Sequence, residues 1–269
     1  MNDLREAVAQ NPLWYHTLEL APGVVTPGWF DLRPIVGKLP WPDVRGKRCL
    51  DVGTYDGFLA FELERRGAAE VVATDISDHN QWDWSWAMRN KGGEYLTSVA
   101  GPEKGRGFRI AHEALGSKVV KHEINIYDLS PEALGGQFDV VVCGSLMLHL
   151  KSPVTAMERI RGMCRDGGEF MSTEEVDPLW TLLSPRRPAM SFRAGNQTQW
   201  MVSNTAAHRA LVECAGFKVE RTVRPYAESF GKGHEATGRL TRRKIIARIV
   251  TGGTGVPHAA LLARAVDAG

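Results

Sequence analysis

The chain of 269 residues predicts an α/β domain built on a doubly wound, mostly parallel sheet with helices on both faces. Three observations predict it. Strand-like apolar runs alternate with helix-periodic ones from about residue 48 to residue 175. The first strand enters a glycine-bearing turn that opens a helix, and the second strand ends on an acid, Asp75.

The elements follow in order. Arg48 to Val52 reads as the first strand, Phe58 to Arg66 as a helix and Glu70 to Thr74 as the second strand. Val119 to Ile124 makes the third strand, Phe138 to Cys143 the fourth, Val154 to Cys164 a helix and Gly168 to Ser172 the fifth. These strands are continuous apolar runs, as buried parallel strands are. Asp166 and Gly167-Gly168 stop the last helix where a tight helix-to-strand turn is needed. Beyond residue 200 the alternation loosens into a helix from Asn204 to Ala215, a strand from Phe217 to Val223 and a final apolar strand from His258 to Val266. Residues 1–44 are expected to cap the strand ends, and residues 45–269 to form the domain, with insertions at about 176–200 and 226–256. Within the second insertion, Arg242 to Val250 has the pattern of an amphipathic helix.

Composition narrows the function classes. With 43% hydrophobic and 24% charged residues the chain can bury a full core. It has no apolar run of membrane-spanning length, and its start, Met1 to Glu6, has neither a basic region nor an apolar one, so a cytoplasmic location is expected. Cys49, Cys143, Cys164 and Cys214 are far apart and carry no zinc spacing, so neither a disulfide frame nor a metal is expected. A net charge of +2 does not by itself imply nucleic acid, although Arg239 to Arg248 is locally basic.

The densest chemical signal is the stretch Leu50 to Ala60, with Asp51, Gly53, Thr54, Tyr55 and Gly57 in its turn. Gly53 permits a sharp turn and close approach of a ligand; Gly57 does the same at a helix start, where free amides favour a carboxylate. Asp75, with Ile76 beside it, lies 24 residues after Asp51 and can accept both hydroxyls of a ribose. A dinucleotide site would need Gly-x-Gly-x-x-Gly against a pyrophosphate, whereas Tyr55 holds the middle position here and an acid ends the strand. S-adenosylmethionine has no phosphate and carries an ammonium that an acidic loop attracts, so it is the expected cofactor, with S-adenosylhomocysteine as product.

Leu50 to Gly57, Asp75 and the block Phe138 to Pro153 resemble class I S-adenosylmethionine-dependent methyltransferases, whose sheet is Rossmann-like and seven-stranded. More narrowly they are similar to the branch of the tRNA wobble-uridine carboxymethyltransferase, as is Trp200 to Asn204 leading to Cys214 to Phe217. The resemblance covers most of residues 45 to 225. It implies that Asp51, Gly53 and Gly57 hold the methionine portion and Asp75 the ribose, that Asn125 and Ile126 meet the adenine, and that Gly144 and Ser145 lie beside the sulfonium. Two positions depart from the pattern. The adenine position usually carries Asp where Asn125 stands. The tRNA enzyme has Tyr before its His, in the pocket for a carboxylated cofactor, where this chain has Leu148, which favours ordinary S-adenosylmethionine.

Methyl transfer from a sulfonium is an in-line displacement in which alignment and exclusion of water do most of the work. Should the acceptor be a hydroxyl, a base is useful, and His149, just past the fourth strand, is the first candidate. It could equally bond a backbone carbonyl. Glu174 and Asp177 follow the fifth strand on the same edge, and His79 follows Asp75. Trp82, Trp84 and Trp86 alternate beyond the second strand, and Trp82 and Trp86 are expected at the acceptor. The expected activity is methylation of a small-molecule acceptor, on oxygen as in secondary metabolism. The alternatives are a tRNA-modifying enzyme and a non-catalytic protein that binds S-adenosylmethionine.

Overall fold

The computed structural model describes residues 2–101, 103–196, 198–234 and 241–267. Of the basic segment Arg239 to Arg248, Arg239 and Leu240 therefore lie outside the described residues. The N-terminal segment holds helix α1 (Asn2–Gln10) and three short strands, β1 (Glu19–Ala21), β2 (Val24–Val25) and β3 (Phe30–Asp31). Then come β4 (Arg48–Val52), α2 (Phe58–Arg65), β5 (Glu70–Asp75), α3 (Trp86–Arg89), α4 (Gly93–Ala100), α5 (Arg106–Leu115), β6 (Val120–Glu123), β7 (Phe138–Gly144), α6 (Pro153–Met163) and β8 (Cys164–Glu175). The remainder is α7 (Pro178–Leu183), β9 (Met190–Asn196), β10 (Gln199–Ser203), α8 (Thr205–Cys214), β11 (Phe217–Thr222), β12 (Tyr226–Phe230), α9 (Arg242–Thr251) and β13 (Val256–Ala265).

The central sheet runs β3-β12-β13-β8-β7-β4-β5-β6, with β11 also pairing β13. From β8 to β6 every pairing is parallel, and β13 inserts antiparallel beside β8. The chain order reverses between β4 and β7, so their loops diverge and leave a crevice at the carboxyl ends, where ligands bind in open α/β sheets. Apolar side chains point alternately to the two faces of each strand. Val140, Val142 and Met171 join one buried cluster with α2 and α5; Leu50, Val141 and Phe170 join the other with α6 and α8.

All seven expected strands are present, and the sheet contains two more. The strand β12 takes up the first half of β13, pairing Tyr226 with His258, while β11 pairs with the second half. The strand β3 extends the edge through Phe30 and Phe230. The N-terminal segment is thus tied into the sheet as well as lying over it: Tyr15 and His16 both donate backbone N–H groups to Asp56, at 2.6 and 3.0 Å. The expected amphipathic helix is α9, and the first insertion folds as α7 and the β9–β10 hairpin.

Candidate active site

The glycine turn after β4 is shaped as the sequence implied. Gly53 and Gly57 have φ of +79° and +93°, a region that side chains resist, and Tyr55 between them is also left-handed at +47°. A Cβ at Gly57 would collide with the Phe61 ring. The turn buries two carboxyls. Asp51 is 1% exposed, and among the described residues only weak contacts from the Thr54 hydroxyl and the Ala60 amide reach its carboxyl, none with good hydrogen-bond geometry. Burial pushes the Asp51 carboxyl up to about 7. Asp56 rises to about 7 for the same reason, although the Tyr15 and His16 amides bond to it.

Asp75 ends β5 facing this turn. Its carboxylate accepts the Tyr55 N–H at 2.7 Å and the Ile76 N–H at 2.7 Å. Lys104 Nζ lies 2.5 Å from Asp75 Oδ1 and also donates to the Ile76 carbonyl. The ammonium is sandwiched between the Tyr55 and Trp82 rings, 5.1 and 4.9 Å from their centroids. Of the roughly four lone-pair positions of a carboxylate, three are then used.

Among the predicted neighbours, Trp82 joins this site but Trp86 does not: it is 78% exposed at the start of α3, because Ser85 caps that helix and turns residue 86 outward. Its expected acceptor role is thereby corrected. Trp84 is buried and bonds the His79 carbonyl, and the His79 ring itself meets Thr97 at 3.3 Å. Asn125 uses its carbonyl oxygen to accept the Tyr127 N–H and its amide to reach the Gln81 carbonyl, while Ile126 is buried beneath.

A second polar cluster gathers at the ends of β7, β8, β12 and β13. Ser145, left-handed at φ +50°, hydrogen-bonds His258 Nε2 at 2.9 Å, and Glu228 Oε2 lies 3.3 Å from the same nitrogen. Tyr226 stacks on the His258 ring and hydrogen-bonds Thr173. Glu174 accepts the amides of Leu146 and Met147, and burial raises its carboxyl to about 8. Tyr15, its ring tilted against Tyr55 with centroids 4.8 Å apart, bridges the two clusters: burial and then the charge of Glu228 hold its hydroxyl protonated.

His149 and Asp177 have other partners. His149 Nδ1 is 2.8 Å from the Thr198 carbonyl, so that nitrogen carries the proton and ties the β9–β10 hairpin to the β7 exit. Asp177 caps α7 through the Leu179 and Trp180 amides and also binds Ser191 and Arg193. That role in holding the insertion together replaces the expected catalytic one, since its carboxylate is consumed by local bonds. Sequence reasoning missed Lys104, Tyr226, Glu228 and His258. The alternation Tyr226, Glu228 on one strand face was visible, but pairing with His258 depends on a register 32 residues away.

The family profile described as a methyltransferase domain matches residues 31–222, most of the chain, with the β4 turn, Asp75 and the β7 exit inside the match. The chain belongs to that family. It is an S-adenosylmethionine-dependent methyltransferase domain. Two curated relatives align over 139 residues, 51% of this chain: a ubiquinone biosynthesis O-methyltransferase of Neisseria meningitidis, 32% identical, and a tRNA U34 carboxymethyltransferase of Campylobacter hominis, 24% identical. The chain spans 48% and 40% of their lengths. Among solved structures, the 1,6-didemethyltoxoflavin-N1-methyltransferase of Burkholderia thailandensis, with its acceptor and S-adenosylhomocysteine bound, is similar in fold. Its TM-score is 0.51 at 16% identity, covering 88% of this chain and 78% of that one.

The site fits the cofactor by its own chemistry. A buried carboxyl as poorly satisfied as that of Asp51 destabilises the free site and favours a cation or a further hydrogen-bond donor. The ammonium of the methionine portion supplies one. Asp75 keeps an accepting position, and withdrawal of Lys104 would free a second.

Proposed function

We propose that this methyltransferase domain acts on a small-molecule acceptor and methylates it on oxygen. The observation that supports this reading best is the closure of the crevice. Tyr15 and His16 are fastened to the β4 turn by Asp56, and Tyr15 packs on Tyr55, so in this reading the acceptor lies in a recess between these rings and the strand-end carboxyls. Such a recess suits a compact acceptor whose few polar groups are matched by a few placed partners. The name of the Neisseria relative, an O-methyltransferase, agrees with oxygen as the accepting atom, and the Burkholderia protein, named as an N1-methyltransferase, agrees only with a small-molecule acceptor.

In this reading Asp51, Gly53, Thr54, Tyr55 and Gly57 hold the methionine portion, Asp75 and Ile76 the ribose, Asn125 and Ile126 the adenine, and Gly144 and Ser145 the region of the sulfonium. The cofactor supplies a methyl group already activated by positive sulfur. The chain aligns the acceptor, excludes water under the cap and holds the acceptor's proton chemistry at the strand ends. Glu174 and Trp82 flank that space, His79 steadies the α4 side of it, and His149 fixes the hairpin that borders it.

A tRNA acceptor is favoured by one feature, the exposed Arg242, Arg243 and Arg248 of α9. Incubation with labelled S-adenosylmethionine and separate panels of hydroxylated small molecules, amines and total tRNA tests the reading. Label in a hydroxylated small molecule is expected. Label confined to tRNA, with binding that weakens steeply as salt rises, would replace it.

A further inference from the structure

We propose that Ser145 and His258 form a proton relay that deprotonates a hydroxyl acceptor, with Glu228 as the buried counter-charge. The inference rests on the methyl-transfer reading and deepens it by naming the acceptor group and the route of its proton. Three features of geometry carry it.

The first is the tautomer. His258 Nδ1 lies 3.0 Å from the Val256 carbonyl, which can only accept, so Nδ1 carries a proton and Nε2 is the nitrogen that exchanges one. The second is what faces Nε2. Ser145 Oγ at 2.9 Å and Glu228 Oε2 at 3.3 Å both address it, and the pair His258 and Glu228 is buried to 3% and 5% exposure. A bare Nε2 takes the Ser145 proton; a protonated Nε2 forms an imidazolium against the Glu228 carboxylate. The third is position. Ser145 is the outermost of the three, half-buried where β7 turns out of the sheet, and its left-handed backbone turns the residue away from the strand path. Strain of this kind persists where surrounding structure enforces it.

The step balances as follows. The acceptor O–H gives its proton to Ser145 Oγ while the Ser145 proton passes to His258 Nε2, and the acceptor oxygen forms its bond to the methyl carbon as the carbon–sulfur bond breaks toward sulfur. The imidazolium left behind is held by Glu228 and later loses its proton to solvent. Ser145 touches the acceptor and is the catalytic residue; His258 and Glu228 act through it. An amine acceptor would need no such relay, because its neutral form already offers a lone pair.

The groups facing His258 come from four elements. They are Glu228 and the stacked Tyr226 on β12, Glu175 opposite it on β8, Ser145 after β7, and His208 on α8, whose imidazole is held neutral by burial at about 4 with a further push from His258. Glu175 is already bonded by Gln199 and Arg243, which leaves Glu228 as the carboxylate dedicated to the imidazole. Burial raises the Glu228 carboxyl, and the charge of His258 opposes that rise.

The test is nitrogen NMR of histidine-labelled protein, beside calorimetry with S-adenosylmethionine and turnover with the hydroxylated panel. The expected spectrum shows His258 protonated at Nδ1, with the Nε2 resonance moving in both Ser145→Ala and Glu228→Gln. His258→Gln is expected to keep the cofactor affinity within about twofold, and both His258→Gln and Ser145→Ala to lower kcat by about 10²–10⁴-fold. A His258 protonated at Nε2 alone, or insensitive to Glu228→Gln, overturns the relay; so does full turnover in a folded Ser145→Ala protein. Methylation of amines but not hydroxyls also overturns it while leaving the methyl-transfer reading intact. Absence of transfer to the entire panel would strike that reading instead, and the NMR result would still decide whether the relay exists.

Discussion

In the proposed reading Asp51 and Asp75 divide the cofactor between them, and their environments predict different behaviour. Asp75 is already hydrogen-bonded, so Asp75→Ala is expected to weaken S-adenosylmethionine binding by about 1–3 kcal/mol, measured by calorimetry, through loss of charge-assisted bonds to the ribose. Asp51 differs because its carboxyl is raised to about 7. A raised carboxyl favours folding fully below its unfolded value near 4, and that contribution drains away as pH rises toward 7. The free protein therefore loses stability from Asp51 over this window, and the cofactor ammonium restores it. Cofactor affinity is expected to rise with pH through 7, and the dependence to flatten in Asp51→Asn; a flat profile in the wild type would remove Asp51 from the ammonium site. Both residues were legible in the sequence from one turn and one spacing. Lys104 was not, because no local pattern reports that a loop lysine folds back onto a strand-end acid.

At the scale of elements, the β4 turn and the N-terminal segment do most of the positioning. Gly57→Ala forces a side chain into φ +93° and into the Phe61 ring, so a loss of roughly 1–3 kcal/mol in unfolding free energy is expected by denaturant titration. Asp56→Ala removes the acceptor for two backbone amides and should loosen the cap more than the sheet. Limited proteolysis is expected to cut near Tyr15 faster in that variant, with β7 and β8 as protected as in the wild type. Equal cutting rates would show that β3 alone anchors the segment. Most of the seven strands could be read because they are largely apolar runs or long alternating ones, and Val120–Glu123 from its place in the alternation of strands and helices. The two additional strands could not: β3 has only two residues and β12 carries Tyr226, Glu228 and Ser229, so pairing with partners distant in sequence decides both.

Across the whole molecule, the parallel strands β4, β5 and β7 place the cofactor acids at one edge, and the later strands β12 and β13 bring Glu228 and His258 to the same edge. The first set was visible because phosphate-free cofactor chemistry leaves a compact motif. The second was invisible because the proposed acceptor site draws on strands that meet only through their register. The placement also shapes the pH response. Asp51, Asp56 and Glu174, raised to about 7, 7 and 8, draw stability down as pH climbs from about 4 toward 8. His16 and His208, held neutral at about 3 and about 4, hold stability above pH 6.5 and lose it as pH falls. Thermal melts of the free protein should thus decline on both sides of a mildly acidic optimum, with S-adenosylmethionine raising the melting temperature most on the alkaline side. The central claim is that the β4 turn and Asp75 form an S-adenosylmethionine site, and calorimetric titration of the wild-type and Asp75→Ala proteins with S-adenosylmethionine, S-adenosylhomocysteine and NAD tests it most directly. Saturable binding of the first two, weakened about tenfold or more in the variant and absent for NAD, is the predicted result; binding of NAD alone, or equal affinity in wild type and variant, would contradict it.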